Sequence, residues 1–241
     1  LIIPGETRGA ERPVPVSLSG FTGEVATVLR FDLEVMGCEI VGTGAGTYQV
    51  SGSNSGQVAG ELRQVATQSV LLNNRYSGGS LRTQTHALAN DVIEKITGRK
   101  GIAGTRIAFR AQNGRTWALY VSDFDGANPF KISTKDDLVA APAWVSGGQS
   151  LYYTSYEAGS PDIYFQNLQT GARKVIARYH GTSTSAAPSP DRRRVAMILS
   201  KSGNPELYVS DAEGGNLQQL TRSAQVEACP CWSPDGRQIC F

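Results

Sequence analysis

Hydrophobic and polar residues alternate along much of the second half of the chain, which is the pattern of β-strands with one buried face. Residues 142–156 predict a short strand, a turn and a second strand, residues 162–168 predict a third strand, and residues 173–177 predict a fourth. Because side chains alternate across a strand, Ile163 and Tyr164 are expected on opposite faces of the third one. The pattern therefore predicts a unit of four short strands.

This unit repeats at a fixed interval of 44 residues. Leu119–Asp123 recurs as Ile163–Asn167 and again as Leu207–Asp211, with no gap at either step. Turn-rich repeats of about this length are typical of β-propeller blades. The first unit has no strand before Ile107, and the chain ends at Phe241 just after a strand begins. We therefore expect the sequence to be a fragment of a longer protein.

The first hundred residues follow a different pattern. Apolar residues at helical spacing predict two helices, one from Thr22 to Gly37 and one from Ser80 to Gly98. A short strand precedes the first helix, the segment CEIV follows it, and three more segments before the second helix are typical of a small antiparallel set of strands. Two helices on one face of a small sheet make an α+β domain.

The predicted fold is thus a small α+β N-terminal domain, residues 1–100, followed by an incomplete all-β propeller, residues 101–241. The composition agrees, because 27 glycines and 11 prolines with only 18% charged residues suit a turn-rich β protein. The net charge of +2 gives no indication of nucleic acid as a partner. No apolar run approaches the length of a membrane span, so we expect no membrane-spanning segment.

The four cysteines form neither a disulfide framework nor a zinc-binding pattern; they are Cys38, Cys229, Cys231 and Cys240. We expect them to be small buried residues. The alternative is a bridge between Cys231 and Cys240, which flank the final turn and could face each other across a hairpin.

Two glycine-rich stretches look like catalytic or cofactor motifs but do not satisfy them. Gly42–Thr47 (GTGAGT) has Thr47 where a dinucleotide fingerprint needs its third glycine, and a strand is predicted after it. Gly52–Gly56 (GSNSG) carries Asn54 where a nucleophile elbow needs serine. Both are predicted to be loops. No cofactor is expected.

The acidic pairs of the repeat, Asp123 with Asp125 and Asp211 with Glu213, stand at the same turn of their units and are predicted to be turn residues, with calcium ligands as the alternative.

The two histidines do not complete a catalytic set. His86 lies near the apolar face of the second helix and is predicted to be packed, and His180 lies in a loop without an acid nearby in sequence. Asp191–Val195 (DRRRV) is predicted to be a solvated turn, with a docking point for an acidic partner as the alternative. We expect no catalytic residues and no metal ligands.

The whole chain resembles the TolB family. The resemblance rests on RPVPVSLSGF, on FDLEVMGCEIV, on the junction HALANDVIEKITGRKGIAGTRIAF and on the blade segments LYVSDFDGANPFKIS and SPDGRQICF, in this order. Blade motifs alone also occur in peptidase propellers, whereas the junction joined to this small domain is more specific. The second of the repeated turns between the first two strands of a unit departs from the pattern, with Pro188 and Arg192 in place of an aromatic residue and a glycine.

The resemblance implies a periplasmic, non-enzymatic scaffold of the Tol–Pal system with a six-bladed propeller, of which about three blades are present. It implies binding of a Pal-like lipoprotein by the propeller and of a TolA-like inner-membrane protein by the N-terminal segment, which together maintain the outer membrane during cell division. The matching segment is LIIPGE, that is Leu1, Ile2, Ile3, Pro4, Gly5 and Glu6. An apolar terminal peptide of this kind can add a strand to a partner, and an ordinary edge strand is the alternative.

Two other functions remain open from the sequence. The propeller could gate substrates for a prolyl-oligopeptidase-like or tricorn-like serine peptidase whose catalytic domain is absent, or it could bind a glycan or another ligand. A glycine–serine elbow beyond Phe241 would favour the peptidase, and further blades would favour the scaffold.

Overall fold

A computed structural model describes residues 12–135 and 138–241. The chain divides into two compact units, Leu1–Thr105 and Arg106–Phe241. The first contains a mixed sheet and two helices, and the second is built from β-strands.

The small unit has five strands and two helices in its described part. They are β1 (Val14–Ser19), α1 (Gly23–Val35), β2 (Cys38–Val41), β3 (Tyr48–Ser53), β4 (Val58–Gln64), β5 (Val70–Tyr76) and α2 (Leu81–Thr97). The strand order is β2-β1-β3-β4-β5. The three antiparallel strands predicted between the helices are confirmed as β3, β4 and β5.

The other half of this sheet is parallel, because β1 pairs in parallel with both β2 and β3. Parallel neighbours need a crossover connection, and α1 is that crossover between β1 and β2. The strand–helix–strand order of the sequence is consistent with this arrangement, but strand order itself depends on packing.

Both helices end where the sequence predicts. Ser80 caps α2, since its Oγ accepts a hydrogen bond from the Thr83 amide at 3.2 Å, and Gly98 closes the helix in the left-handed region with φ of 71°. Gly60 of β4 lets α2 approach closely, because a Cβ there would lie 2.5 Å from Leu88 Cδ1. Neither helix in the described residues is long and apolar enough to cross a membrane.

The described residues of the second unit form four antiparallel sheets. A three-stranded sheet contains β6 (Arg106–Asn113), β7 (Thr116–Asp123) and β8 (Phe130–Lys131), and a hairpin contains β17 (Cys231–Trp232) and β18 (Ile239–Cys240). Two four-stranded sheets lie between them in sequence. They are made of β9 (Val139–Trp144), β10 (Ser150–Ser155), β11 (Asp162–Asn167) and β12 (Arg173–Ala177), and of β13 (Ser183–Pro188), β14 (Arg194–Leu199), β15 (Glu206–Asp211) and β16 (Gln218–Gln219).

These sheets are successive blades, and their cores lie between neighbours. Ile163 and Phe165 pack with residues of the following blade such as Met197, whereas Tyr164 packs with Leu119 of the preceding one. The predicted alternation on the third strand is therefore confirmed. The first blade has no strand before Arg106 in its described part, as the sequence predicts.

The expectation of four buried cysteines is wrong for three of them. Cys38 is buried, but Cys229, Cys231 and Cys240 are exposed, and all four are free thiols. Cys231 and Cys240 lie in the last hairpin on the side that faces away from the core cluster to which Trp232 and Ile239 belong.

Candidate partner-binding surfaces

The predicted partner-binding segment, Leu1–Glu6, lies outside the described residues. The described chain begins at Arg12, which lines an open groove of about 440 Å³ in the small unit. The groove has apolar walls and a basic margin, formed by Val14, Met36, Ile93, Ile96 and Ile102 together with Arg12, Arg99 and Lys100. Such a surface suits an extended peptide with apolar and acidic side chains.

A histidine–carboxylate pair lies inside the small unit. His86 Nδ1 is 2.7 Å from Asp32 Oδ2, and the two residues are 7% and 0% exposed. The prediction that His86 is a packed helix residue is confirmed. Sequence reasoning missed its partner, although Asp32 occupies the buried stripe of α1 beside Val28 and Leu29, where a charged residue needs a partner.

Gly42–Thr47 is a loop, as predicted, whereas Gly52 and Ser53 of the second stretch are the last residues of β3 and only the rest of that stretch forms a turn. Strand β3, not a helix, follows Gly42–Thr47, so this loop lacks the helix N-terminus that holds a dinucleotide phosphate. Asn54 has a structural role instead, because its Oδ1 accepts a hydrogen bond from the Thr22 amide at 3.1 Å and its Nδ2 donates to the Thr22 carbonyl at 3.2 Å. These bonds fasten the turn after β3 to the start of α1.

The acidic pairs of the repeat are turn residues. Asp211 Oδ1 accepts hydrogen bonds from the amides of Glu213 and Gly215 at 3.0 and 2.8 Å, and these bonds hold the pKa of the Asp211 carboxyl below its usual value, the Gly215 amide contributing most. Asp125 likewise accepts from the Ala127 amide at 3.1 Å. The carboxylates thus stabilise the loops between the third and fourth strands.

The three arginines of DRRRV have different environments. Arg194 reaches the last hairpin, where it donates to the Gly236 carbonyl at 2.9 Å and lies over the Trp232 ring at 4.5 Å. Arg192 and Arg193 are exposed. The stretch is therefore a solvated turn at two positions and a contact between blades at the third.

Three exposed arginines lie at equivalent turns of two neighbouring blades, and we call Arg192, Arg193 and Arg237 the arginine rim. Each is exposed at a turn between the first two strands of its blade. The neighbouring Asp191 and Asp235 are held within their turns, since Asp191 accepts from Ser189 Oγ at 2.5 Å and Asp235 accepts from Ser233 Oγ at 2.6 Å. These bonds lower the pKa of both carboxyls, so both are ionised at neutral pH. The rim remains a candidate contact for an acidic protein surface.

A buried acid at the start of the third strand was not found by sequence reasoning. Asp162 is fully buried and accepts from Arg178 Nε at 2.7 Å. One repeat later, Glu206 is 4% exposed and accepts from Thr221 Oγ1 at 2.6 Å and from the Ser223 amide at 2.8 Å. The 44-residue step relates Asp162 to Glu206, and this recurrence of an acid in two blades is the sequence signal that could have found it, although the equivalent position in the first blade is Ala118.

His180 is exposed in the loop after β12. A substrate cannot reach His86 and Asp32, because both residues are buried.

Comparison with known proteins identifies the family. The model of the TolB beta propeller domain matches residues 93–241. A protein TolB homolog of Chlorobium chlorochromatii is 34% identical over 193 residues, which cover 78% of this chain and 43% of that protein. The Tol-Pal system protein TolB of Bordetella pertussis is 38% identical over 162 residues, covering 67% of this chain and 37% of that protein.

A solved structure shows the same fold. The crystal structure of TolB from Acinetobacter baumannii superposes with a TM-score of 0.86 at 23% identity, over 95% of this chain and 65% of that one. The chain spans less than half the length of the curated relatives named above. The matching family model, these relatives and the order of a small α+β unit before 44-residue blades together show that the chain belongs to the TolB family.

Proposed function

We propose that this chain is part of a non-enzymatic periplasmic scaffold of the Tol–Pal system. Its propeller unit binds a Pal-like lipoprotein, its N-terminal segment Leu1–Glu6 binds a TolA-like inner-membrane protein, and the two contacts help to maintain the outer membrane during cell division. The single observation that carries the proposal is the 38% identity with a Tol-Pal system protein over 67% of the chain.

The extent of the sequence match also supports the scaffold over a peptidase propeller. The 193 aligned residues of the Chlorobium relative exceed the length of the second unit, Arg106–Phe241, so the match includes part of the small unit. Blade repeats are common to many propellers, whereas the combination with this small unit is not. The peptidase alternative has no comparable support.

The binding of a Pal-like lipoprotein is tested with the complete gene product that contains this chain. The purified protein is passed over an immobilised, soluble form of the Pal-like lipoprotein from the same organism, and binding is followed by surface plasmon resonance. We expect saturable binding. A folded complete protein that does not bind would contradict this part of the proposal.

The role of the N-terminal segment is tested separately. Ile2→Ser with Ile3→Ser is expected to weaken binding of the soluble domain of a TolA-like protein by at least about tenfold, since two aliphatic side chains that become buried against the partner would contribute a few kcal/mol. Glu6→Gln is the matched control in the same segment. Binding of the Pal-like protein should be unchanged in both variants. Equal TolA-like binding by all of them would exclude the segment as the contact.

A further inference from the structure

Residues 99–105, which we call the linker segment, follow α2 and are attached to both helices of the small unit. The Ala103 amide donates to Asn90 Oδ1 of α2 at 2.8 Å, and the Ile102 amide donates to Met36 Sδ at the end of α1 at 3.3 Å. A thioether sulfur is a weak acceptor, whereas the amide oxygen of asparagine is a full one. The contact with Met36 is therefore the weaker attachment, and it depends on a sulfur atom.

The backbone on each side of this contact is fixed by other hydrogen bonds. Met36 is the C-cap of α1, and its amide donates to a carbonyl of the last helical turn. The carbonyl of the next residue, Gly37, accepts from the Val14 amide of β1 at 3.0 Å. In the linker segment, the Thr105 amide donates to the Ile102 carbonyl at 2.9 Å. The sulfur and the amide thus belong to two turns that are each closed independently of the contact between them.

Solvent reaches the thioether of Met36 through an open groove. Met36 is half-buried and, together with Ile102, lines the groove of about 440 Å³ described above. The other methionine of the chain, Met197, is fully buried in the core cluster between two blades. A dissolved oxidant can therefore reach one methionine of the folded chain and not the other.

We propose that Met36 is a site of reversible oxidation, at which a peroxide controls the contact between the linker segment and α1. The thioether sulfur attacks one oxygen of hydrogen peroxide, so that the O–O bond breaks and the S–O bond of the sulfoxide forms. The sulfur loses two electrons, the second oxygen leaves as hydroxide, and the proton of the first oxygen passes to it to give water. A methionine sulfoxide reductase reverses the change, with two thiols oxidised to a disulfide and the oxygen released as water.

Oxidation removes the acceptor of the Ile102 amide from its place. The sulfur of a sulfoxide is electron-poor, and the new oxygen is the acceptor, so the amide can form a bond again only if the side chain or the linker segment moves. The polar sulfoxide also fits poorly against the apolar walls of the groove, which include Val14, Ile93 and Ile96. We therefore expect the linker segment to lose its attachment to α1 and to keep the one to Asn90.

The first experiment compares the two methionines. The exposed thiols of the folded 241-residue chain are alkylated, the chain is treated with hydrogen peroxide, and its tryptic peptides are quantified by mass spectrometry. Met36 lies in the peptide Phe31–Arg63 and Met197 in the peptide Val195–Lys201. We expect Met36 to be oxidised at least about tenfold faster than Met197 in the folded chain, and at the same rate in guanidinium chloride. Equal rates in the folded chain would overturn the proposal.

The second experiment measures the consequence of oxidation for the linker segment. Amide hydrogen exchange is followed by NMR before and after peroxide treatment. We expect the Ile102 amide to exchange faster in the oxidised chain, the Ala103 amide to change less, and the reductase to restore slow exchange at Ile102.

Met36→Leu is the matched control, since leucine has a similar volume and no sulfur. Its Ile102 amide should exchange fast before treatment, and peroxide should not change that rate. Unchanged exchange in the oxidised parent chain, or the same response to peroxide in the Met36→Leu variant, would also contradict the proposal. Both experiments are made without a partner, so their outcome is independent of the proposed Tol–Pal function.

Discussion

At the scale of single residues, conformation explains why one turn of the repeat differs from the others. Arg192 has a φ of 64°, in the left-handed region, and the equivalent positions one repeat before and after are Gly148 with 66° and Gly236 with 68°. A residue that carries a Cβ atom is destabilised by roughly 1–2 kcal/mol in this backbone conformation, and glycine avoids the cost because it has no Cβ atom. The blade tolerates this cost because Asp191 accepts the Arg193 amide at 3.0 Å and holds the turn closed.

Arg192→Gly should therefore stabilise the second unit. We expect a gain of about 0.5–1 kcal/mol in the free energy of unfolding, since the relief of strain exceeds the added freedom of glycine in the unfolded chain. Urea unfolding followed by tryptophan fluorescence measures the change. Arg193→Gly, at a position without a positive φ, is the control and should destabilise instead. A loss of stability in both variants would contradict the strain argument.

The buried pair of Asp32 and His86 illustrates the other role of single residues. Its two members are 54 positions apart in sequence and join α1 to α2, together with the exposed contact of 2.7 Å between Arg82 and Glu24. A buried histidine beside an acid can be a catalytic pair, but here burial favours a structural one. The residue types alone, a histidine and an aspartate, do not distinguish a catalytic pair from a structural one.

At the scale of elements, a polar cluster stabilises the second blade between its strands. Arg173 of β12 donates to Tyr153 of β10 and to Glu157 in the following loop, at 2.7 Å each. Its guanidinium also lies 3.8 Å from the centre of the Tyr164 ring of β11. The hydrogen bond from Arg173 is the main cause of a lowered pKa at Glu157, whose side chain is only 12% exposed. One side chain thus contacts two strands and the loop between them.

The lowered pKa of Glu157 predicts a pH dependence. Its contribution to stability is complete above the unfolded carboxyl pKa of about 4.3 and is lost as the pH falls through the lower folded value. Glu157→Gln should reduce the free energy of unfolding by about 1.5–3 kcal/mol at pH near 7, and the difference from the parent chain should shrink in acid. Urea unfolding at a series of pH values measures it.

Glu213→Gln provides the matched control for this prediction. Glu213 pairs with Lys174 at the surface, where its side chain is 75% exposed. An exposed pair of this kind contributes little, so the variant should stay close to the parent at every pH. A Glu157→Gln difference that is the same in acid as at neutral pH would contradict the assignment of the shift to Arg173.

At the scale of the whole molecule, the two units can be observed separately. The described helices α1 and α2 belong to the small unit, and the three tryptophans, Trp117, Trp144 and Trp232, all belong to the second. The helical circular-dichroism band therefore reports mainly on the small unit, and tryptophan fluorescence reports on the blades. Each unit also has buried aliphatic residues of its own.

This separation makes a core substitution informative. Leu88 is fully buried against Gly60 in the small unit, and Leu88→Ala should lower the stability of that unit by about 2–5 kcal/mol. The circular-dichroism transition should move to lower urea, with a smaller change in tryptophan fluorescence. Leu119→Ala, in the blade core, is the control and should show the reverse. Equal shifts of both signals in both variants would show that the units unfold together.

Much of the architecture is predictable from local sequence. The alternation of Ile163 and Tyr164, the cap at Ser80 and the stop at Gly98 depend on side-chain direction and backbone preference within a few residues, and the structure agrees with each. The 44-residue repeat then extends the prediction from one blade to the others. The assignment of Leu1–Glu6 as a partner-binding segment rests on the sequence and stays a prediction.

The sequence by itself determined the strands, the two helices and the succession of blades, because periodicity and turn chemistry act over short distances along the chain. Only the tertiary structure decided the parallel pairing of β1 with β2, the partnership of Asp32 with His86 and the contact of Arg194 with Trp232. These contacts join residues far apart in sequence, and they depend on which faces meet when the elements pack. A local pattern says that a face is buried, whereas packing decides what it is buried against.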